Sequence, residues 1–497
     1  MESKFYITTT IPYVNAQPHI GFALELVQTD VIARYHRLLG EEVAFNMGTD
    51  EHGVKIYQKA IELGKDPQQY VDEMTESFKK ILKTLNISNT HYVRTTDPHH
   101  KKAAQEFWNR CFASGDIYKA KYKIKYCIGC ELEKTDSELE NGRCILHPNL
   151  TIEEREEENY FFKFSKYQKL LLKLYNNNPD FVLPNFRLNE IKRFVEDGLQ
   201  DFSVSRLKSK MPWGVPVPDD PDQVMYVWFD ALVNYISTLG WPEDEKTFSD
   251  FWPGTQTAGK DNLRQQSAIW QAMLLSAGLP NSKQILIHGF ITAEGQKMSK
   301  SLGNVIDPFK VVEKYGVDVV RYYLLREIPS YEDGDFSYKK LEERYNGDLA
   351  NGLGNLVQRI ATLIDSNLDG ELIFKEELID KEVRDKMREN FKSYRKNIDE
   401  FKLHEALGNV WEIVNYANVY VDDKKPWKLK DRPDEFLKVM TNLTLMVTTT
   451  SWDLYPFMPE TADKIFEIMG MEERMDAPLN NAKLRIKKGG GLFPRLS

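Results

Sequence analysis

A run of β-branched and aromatic residues, Phe5-Tyr6-Ile7-Thr8-Thr9-Thr10, leads into a stretch broken by Pro12, Asn15, Pro18 and Gly21. A stripe at Ala23, Val27, Val31, Tyr35 and Leu38 follows it. This pattern limits the chain more than any other, because it reads as a buried strand, a tight turn and a helix that packs back on the strand. The turn carries His19-Ile20-Gly21-Phe22. At a strand-to-helix turn, Gly21 lets the backbone approach a phosphate, the helix N-terminus favours negative charge, and His19 can donate a hydrogen bond to a phosphoryl oxygen.

A second strand-and-loop unit lies beyond the midpoint. Gln284 to Phe290 reads as a strand, and Ile291 to Gln296 leads through a polar loop into Lys297-Met298-Ser299-Lys300-Ser301. Two ammonium groups on one loop can meet charge as it develops on a pentacovalent phosphate, which accelerates a reaction more than binding the ground state does. Either motif alone is short enough to occur by chance. As a pair they describe two lips of one triphosphate site on two halves of a nucleotide-binding α/β fold, and so ATP-driven chemistry.

Cysteine usage adds a third constraint. Three of the four cysteines fall in Cys127-x2-Cys130-x13-Cys144-x2-His147, with Gly129, Gly142 and Pro148 supplying turns, which is zinc-ligand spacing. Four protein ligands fill a tetrahedral zinc and leave no position for water, so this metal would hold the local fold. Cys111 is left over and reads as a small buried hydrophobe.

A chain of 497 residues, 41% hydrophobic, can bury several cores, so about three domains are expected. It has no run of about twenty apolar residues, and it begins directly with a strand. A soluble, cytoplasmic protein without membrane contact is expected. A net charge of −9 argues against a generic polyanion binder, although Lys119, Lys121, Lys123 and Lys125, and Lys424, Lys425, Lys428 and Lys430 around Trp427, form local basic runs.

The ordered motifs resemble the class I aminoacyl-tRNA synthetases, and among them the bacterial methionyl-tRNA synthetases. Besides the two signatures, the resemblance is carried by Pro12-Tyr13-Val14-Asn15, Gly48-Thr49-Asp50-Glu51-His52-Gly53, Val227-Trp228-Phe229-Asp230-Ala231, Gly259-Lys260-Asp261, Ser299 to Asn304 and Lys425-Pro426-Trp427. It implies a Rossmann-type parallel-sheet catalytic domain split by a zinc-bearing insertion and followed by an α-helical anticodon-binding bundle. The catalytic halves are expected over 1–115 and 223–325, the insertion over 116–222, and a stem-contact segment with the helical domain over 326–497. The insertion is too short for the editing domains of the valine, isoleucine and leucine enzymes. Apolar stripes at Leu349, Leu353, Leu356, Ile360 and Ile364, and at Leu407, Val410, Trp411, Val414 and Ala417, read as core of the bundle. The dimerising oligonucleotide-binding barrel of some members has no room after it, which implies a monomer.

By resemblance, the chain activates methionine with ATP and passes it to the 3′ end of tRNA(Met). His19, Lys297 and Lys300 would be catalytic. Gly21, Gly259, Asp261 and Ser299 would join them in holding ATP with its Mg²⁺, and one zinc ion would sit on Cys127, Cys130, Cys144 and His147. Methionine would lie among Ile11, Tyr13, Asp50, Trp228, Ala231, Tyr235 and Trp270, with Asp50 on its ammonium and Tyr13 able to offer a hydroxyl to the sulfur. Asn355, Arg359 and Trp427 would read anticodon bases, a task suited to stacking and to Arg or Asn hydrogen bonds.

Three departures stand against the family pattern. Phe22 replaces the second histidine of the first signature and so removes a phosphate donor, Asn262 replaces an apolar residue, and Gln265-Gln266 replaces Phe-His and makes the pocket wall more polar. The rival readings are a weakened paralogue that only binds tRNA, which Phe22 favours, a class I synthetase for cysteine, and a nucleotidyl transferase without tRNA. The intact lysine loop and Asp50 count against the first, the closed zinc site against the second, and the C-terminal helices against the third.

Overall fold

The computed structural model describes residues 3–127, 132–133, 139–145, 147–296, 298, 304–471, 480–488, 491–494 and 496. The first unit is as expected. Strand β1 (Lys4–Thr8) is buried along all but its first residue, and helix α1 (Ile20–Leu38) follows the proline-broken turn. Strand β2 (Glu42–Thr49), helices α2 (Val54–Glu62) and α3 (Pro67–Thr84), strand β3 (His91–Arg94) and helix α4 (Pro98–Ala113) complete the first half. Strands β4 (Ile117–Cys127) and β5 (Ile152–Phe162) form a long antiparallel ladder. Strand β6 (Val182–Leu183), helix α5 (Val227–Leu232), and strands β7 (Thr255–Gly259) and β8 (Gln284–His288) come next.

The main sheet has the order β3-β2-β1-β7-β8-β6, and every pairing in it is parallel. The chain reverses its winding between β1 and β7. A crevice opens beyond the carboxyl ends of the strands at such a reversal, and that is where ligands bind in open parallel sheets. Strand β6 comes from the segment between β5 and α5, so that segment also supplies an edge to the nucleotide fold. One face of the sheet carries Ile7, Phe45, Met47 and Leu286, and the other carries Tyr6, Ala44, Ala258, Ile285 and Ile287, so two cores flank it. Cys111 is wholly buried in the second core, and burial pushes its thiol up to about 12, as suits a hydrophobe.

The lysines of β4 do not form a basic face. Register sets Lys121 opposite Glu158, Lys123 opposite Glu156 and Lys125 opposite Glu154, while Lys119 reaches Asp220 at 2.8 Å. Cross-strand opposite charges stabilise the ribbon by a few tenths of a kcal/mol each and cancel the field a polyanion would feel.

The remainder is helical. Strand β9 (Ile291–Ala293) and strand β10 (Gly334–Phe336) form a small parallel pair around helix α6 (Val317–Arg326). Helices α7 (Asn355–Leu368), α8 (Leu403–Lys424) and α9 (Pro433–Leu454) build the bundle, and the predicted stripes, Leu349 to Ile364 and Leu407 to Ala417, are buried throughout.

One buried ion cluster ties these parts together. The Asp30 carboxylate of α1 accepts from Arg34 Nε at 2.7 Å, Arg321 Nη2 at 2.8 Å, and Ser88 N and Oγ at 2.7 and 2.6 Å. Arg321, on α6, also donates to the carbonyls of Leu85, Pro456 and Phe457. Burial opposes ionisation of Asp30, yet Arg321 and Arg34 hold its carboxyl below the ordinary range. Its contribution is therefore fully present above the unfolded value near pH 4 and is lost as pH falls through the folded one. Asp30→Ala leaves a buried guanidinium unpaired and is expected to cost about 3–5 kcal/mol, read as a lower urea midpoint at neutral pH. A midpoint shift worth less than about 1 kcal/mol would mean that water or a rearrangement satisfies Arg321.

Candidate active site

The first signature lies at the N-terminus of α1, in the crevice. His19 caps the helix: its Nδ1 accepts from Gly21 N at 3.1 Å, which in the neutral ring puts the proton on Nε2 and makes that atom the donor. A Cβ on Gly21 would stand 3.0 Å from the His19 ring and 3.3 Å from Ile291, so glycine is what lets the turn close against β9. Phe22 turns away from this turn and packs edge-to-face on Phe78 of α3 at 5.7 Å.

Lys297, Ser299 and Lys300 lie outside the described residues, but both flanks of their loop are placed. Ile20 N donates to Ile306 O at 3.2 Å, directly tying the first signature to the chain just past the second. On the entry side, Asp335 accepts from Thr292 Oγ1 at 2.6 Å and Gly295 N at 2.7 Å, Glu294 accepts from Tyr338 N, and Met298 packs on the core. The first signature and the two flanks of the second therefore share one mouth.

Between them, at the ends of β7 and β8, a Cβ on Gly259 would meet the Asp261 carboxylate at 2.8 Å. Beside it His288 donates through Nε2 to Glu25 Oε2 at 2.9 Å, and Glu25 Oε1 accepts from both N and Oγ1 of Thr10. Lys260 is paired with Asp333 at 2.6 Å. Glu25, His288 and Asp333 were not foreseen. Nothing local in the sequence marks a glutamate and a histidine 263 positions apart as one pair.

A second group gathers around Asp50. Residues Pro12 to Val14 run beside Asp50 as a prolongation of β1, with Asp50 N donating to Pro12 O and Val14 N to Asp50 O. Ile11 sits over Gly48, whose hydrogen is all that fits against the Val93 carbonyl. Asp50 is buried, and its Oδ1 has no hydrogen-bond partner among the described residues. Burial, reinforced by the Asp230 charge, raises its pKa well above the carboxylate range. Asp230 is the opposite case: burial opposes its charge, but His52 Nδ1 at 2.6 Å and His100 Nε2 at 2.8 Å pull it down to about 2. A buried carboxyl with an unpartnered oxygen ionises readily only when a cation arrives.

Tyr13 belongs to this group and turns its hydroxyl oxygen toward the first backbone N–H groups of α2, at Lys55 and Ile56, next to Gly53, so the oxygen accepts there and its proton is left to give. Trp228 and Ala231 stand on α5, Trp228 44% exposed beside the Asp50 group. From α5 the chain runs straight into Tyr235, which lies 6.0 Å from Trp270, ring centre to ring centre. Gln265 to Ile269 wind as a π-helix ahead of Trp270, a local widening of the helix that recurs at functional sites, and Gln266 Nε2 donates to Tyr235 OH at 2.6 Å. Asn262 donates to Asp261.

Two further groups were expected away from the crevice. Cys127, Cys144 and His147 bring their ligand atoms within 4.8 Å of one another, with Cys127 Sγ 3.8 Å from His147 Nδ1, while Cys130 lies outside the described residues. Both sulfurs are buried in unoxidised cysteines, a donor set that fits a thiolate-rich zinc site. On the bundle, Asn355 and Arg359 lie one turn apart on α7. Arg359 pairs with Asp422 at 2.7 Å and covers Trp427, itself 43% exposed, at 5.6 Å.

The chain matches a family model for "tRNA synthetases class I (M)" over residues 5–144 and 129–361, and one for the anticodon-binding domain of tRNA ligases over 380–485. It is 44% identical over 479 residues to the methionine–tRNA ligase of Thermotoga maritima, covering 95% of this chain and 76% of that one. To the Brucella suis methionine–tRNA ligase it is 42% identical, over 94% of this chain and 92% of that one. Among solved structures it resembles Mycobacterium tuberculosis methionyl-tRNA synthetase in complex with methionyl-adenylate, at 37% identity and a TM-score of 0.90, covering 99% of this chain and 100% of that one. The free form of that enzyme matches with a TM-score of 0.85 at 34% identity, over 100% and 99%.

The pair at the crevice floor gives a pH signature. Burial lowers the pKa of His288, but the Glu25 hydrogen bond and charge outweigh it and the net shift is upward. Stability from this pair is full below the unfolded value of about 6.5 and is lost as pH rises through the higher folded value. Urea midpoints measured from about pH 6 to pH 9 should fall for the wild type, and that part of the slope should vanish in His288→Gln.

Proposed function

The chain belongs to the methionyl-tRNA synthetases of class I, and from that membership we propose how its own residues divide the work of a methionine–tRNA ligase. The enzyme activates methionine with ATP to methionyl-adenylate and transfers the methionyl group to tRNA. In the first step the methionine carboxylate attacks the α-phosphorus of ATP. A new carboxyl O–P bond forms, the α–β bridging P–O bond breaks, and pyrophosphate leaves with the electron pair. In the second, a ribose hydroxyl at the tRNA 3′ end attacks the carbonyl, and AMP leaves.

No protein nucleophile is needed, so the rate comes from positioning and charge stabilisation. Asp50 takes the substrate ammonium, which supplies the cation its buried, unpartnered oxygen requires. That observation carries the reading most directly. His19 donates from Nε2 to the phosphates at the α1 N-terminus, with Gly21 allowing the approach. Lys297 and Lys300 meet the charge that develops on the transferring phosphorus and on pyrophosphate, and Ser299 joins them. Gly259 and Asp261 face the nucleoside, and Ile11, Tyr13, Trp228, Ala231, Tyr235 and Trp270 enclose the methionine side chain. Mg²⁺ bound with ATP would supply neutralisation of the triphosphate charge.

One zinc on Cys127, Cys130, Cys144 and His147 would fix the tip of the ribbon that projects as β4 and β5 from the 116–222 insertion. Asn355, Arg359 and Trp427 would take anticodon bases of tRNA(Met), with Lys424, Lys425, Lys428 and Lys430 beside Trp427 for its phosphates. No helix among the described residues is long and apolar enough to cross a membrane, in keeping with a cytoplasmic site of action.

The deciding test is amino-acid-dependent ATP–pyrophosphate exchange across the twenty amino acids. Methionine should be the one strong substrate, and Lys300→Ala should slow exchange by roughly two to three orders of magnitude with ATP affinity nearly unchanged. Exchange with cysteine alone, or with no amino acid, would overturn the assignment for this chain. Trp427→Ala should leave exchange intact and weaken aminoacylation of tRNA by the roughly 1–3 kcal/mol of a lost base stack. Equal losses in both assays would make Trp427 merely structural.

A further inference from the structure

The chain enters the second signature from a two-residue turn. Strand β9 ends at Ala293, whose N donates to Gln296 O at 2.8 Å while Gln296 N donates to Ala293 O at 3.0 Å, so the chain reverses over Glu294 and Gly295. Both of those residues have a left-handed backbone, with φ of 49° and 77°, the mark of a type I′ turn. Glycine adopts that conformation freely. A glutamate does so at a cost, and such a residue persists only where its surroundings over-determine it. Glu294, Gly295 and Gln296 are exposed, so burial does not hold the turn.

Hydrogen bonds to β10 and the residues just beyond it hold the turn instead. Thr292 and Asp335 are partners in the parallel pair, and Asp335 Oδ1 accepts from Thr292 Oγ1 at 2.6 Å and from Gly295 N at 2.7 Å. Glu294 N donates to Phe336 O at 2.9 Å, and the Glu294 carboxylate accepts from Tyr338 N at 3.0 Å. The lock is reciprocal: a side chain of β10 takes a backbone N–H of the turn, and a side chain of the turn takes a backbone N–H just past β10. Hydrogen bonds to a carboxylate are about twice as strong as neutral ones, which suits them to holding a strained turn at the surface. The frame beneath is firm, since Phe336 is wholly buried and Ile291, at the start of β9, lies against the Gly21 turn of the first signature.

We propose that Asp335 and Glu294 are positioning residues for methionine activation: their reciprocal hydrogen bonds fix the direction in which the chain leaves Gln296, and so deliver the charge of Lys297 and Lys300 at the transition state. Neither residue belongs to either signature. The inference rests on the role given above to the two lysines and goes beyond it in naming what aims them. A contact that acts only through the placing of those lysines changes the barrier rather than the affinity, because ground-state ATP is held as well by the α1 N-terminus.

The test is methionine-dependent pyrophosphate exchange on the full-length enzyme. Asp335→Ala removes the acceptor shared by Thr292 and Gly295 and should lower kcat by about ten- to a hundredfold, with the KM for methionine and the KM for ATP unmoved. Asp335→Asn, which keeps an oxygen in the same place, should restore most of the rate. In a Lys300→Ala background the Asp335→Ala change should cost much less than in the wild type, because part of what it aims is already gone. If Asp335→Ala does not fold, Glu294→Ala, at an exposed position, opens the other half of the lock and carries the same comparison. A raised KM with kcat unchanged, an Asn variant as slow as the Ala variant, or full additivity with Lys300→Ala would overturn the inference while leaving the ligase reading in place. Full activity of Lys300→Ala would overturn the lysine assignment and this inference with it.

Discussion

The buried Asp30 carboxylate, held between Arg34 and Arg321, is the contact on which the arrangement of this molecule depends. It joins the helix that carries the first signature to the helix that follows the second, and through the Pro456 and Phe457 carbonyls it reaches the helical bundle. A desolvated ion cluster of this kind adds little net stability over an apolar packing of equal volume, because all three charges lose their water. It tolerates few alternative arrangements, since any shift of α1 against α6 strands a charge. The crevice between β1 and β7 is thus framed by elements that cannot drift apart independently, as befits a reaction driven by positioning.

The same economy of partners runs through the site. Two carboxyls of the pocket end at opposite extremes: Asp230 is ionised between two imidazoles, and Asp50 is left without a counterion for one of its oxygens. Glu51, next in the chain, is saturated by Arg94, Thr49, Thr75 and Thr96 and serves only the frame. Three acidic groups close in space therefore stand in three different states, decided by which of them the fold leaves one partner short among the described residues.

Much of this was legible in the chain itself. The strand, turn and helix from Phe5 to Leu38 were readable because burial on both sides of a parallel strand demands an unbroken apolar run, and a phosphate-facing turn demands glycine. The apolar stripes of α7 and α8 were readable because helical period is local. The partners of the lysine run of β4 were not readable, since its neutralising glutamates sit about thirty residues away on β5 and meet it only through antiparallel register. Phe22 likewise finds its partner, Phe78, on another helix.

Sequence alone determined the fold class, the two signatures and the cysteine–histidine spacing, because each rests on residues close in the chain or on a turn that only certain residues can make. Tertiary structure decided which acid is left unpaired, which lysines are neutralised, and that Gln266 donates to Tyr235. Those properties belong to pairs separated by tens to hundreds of residues. Charge state and hydrogen-bond direction are set by what packs against a group, and for a buried group that neighbour is chosen by the fold.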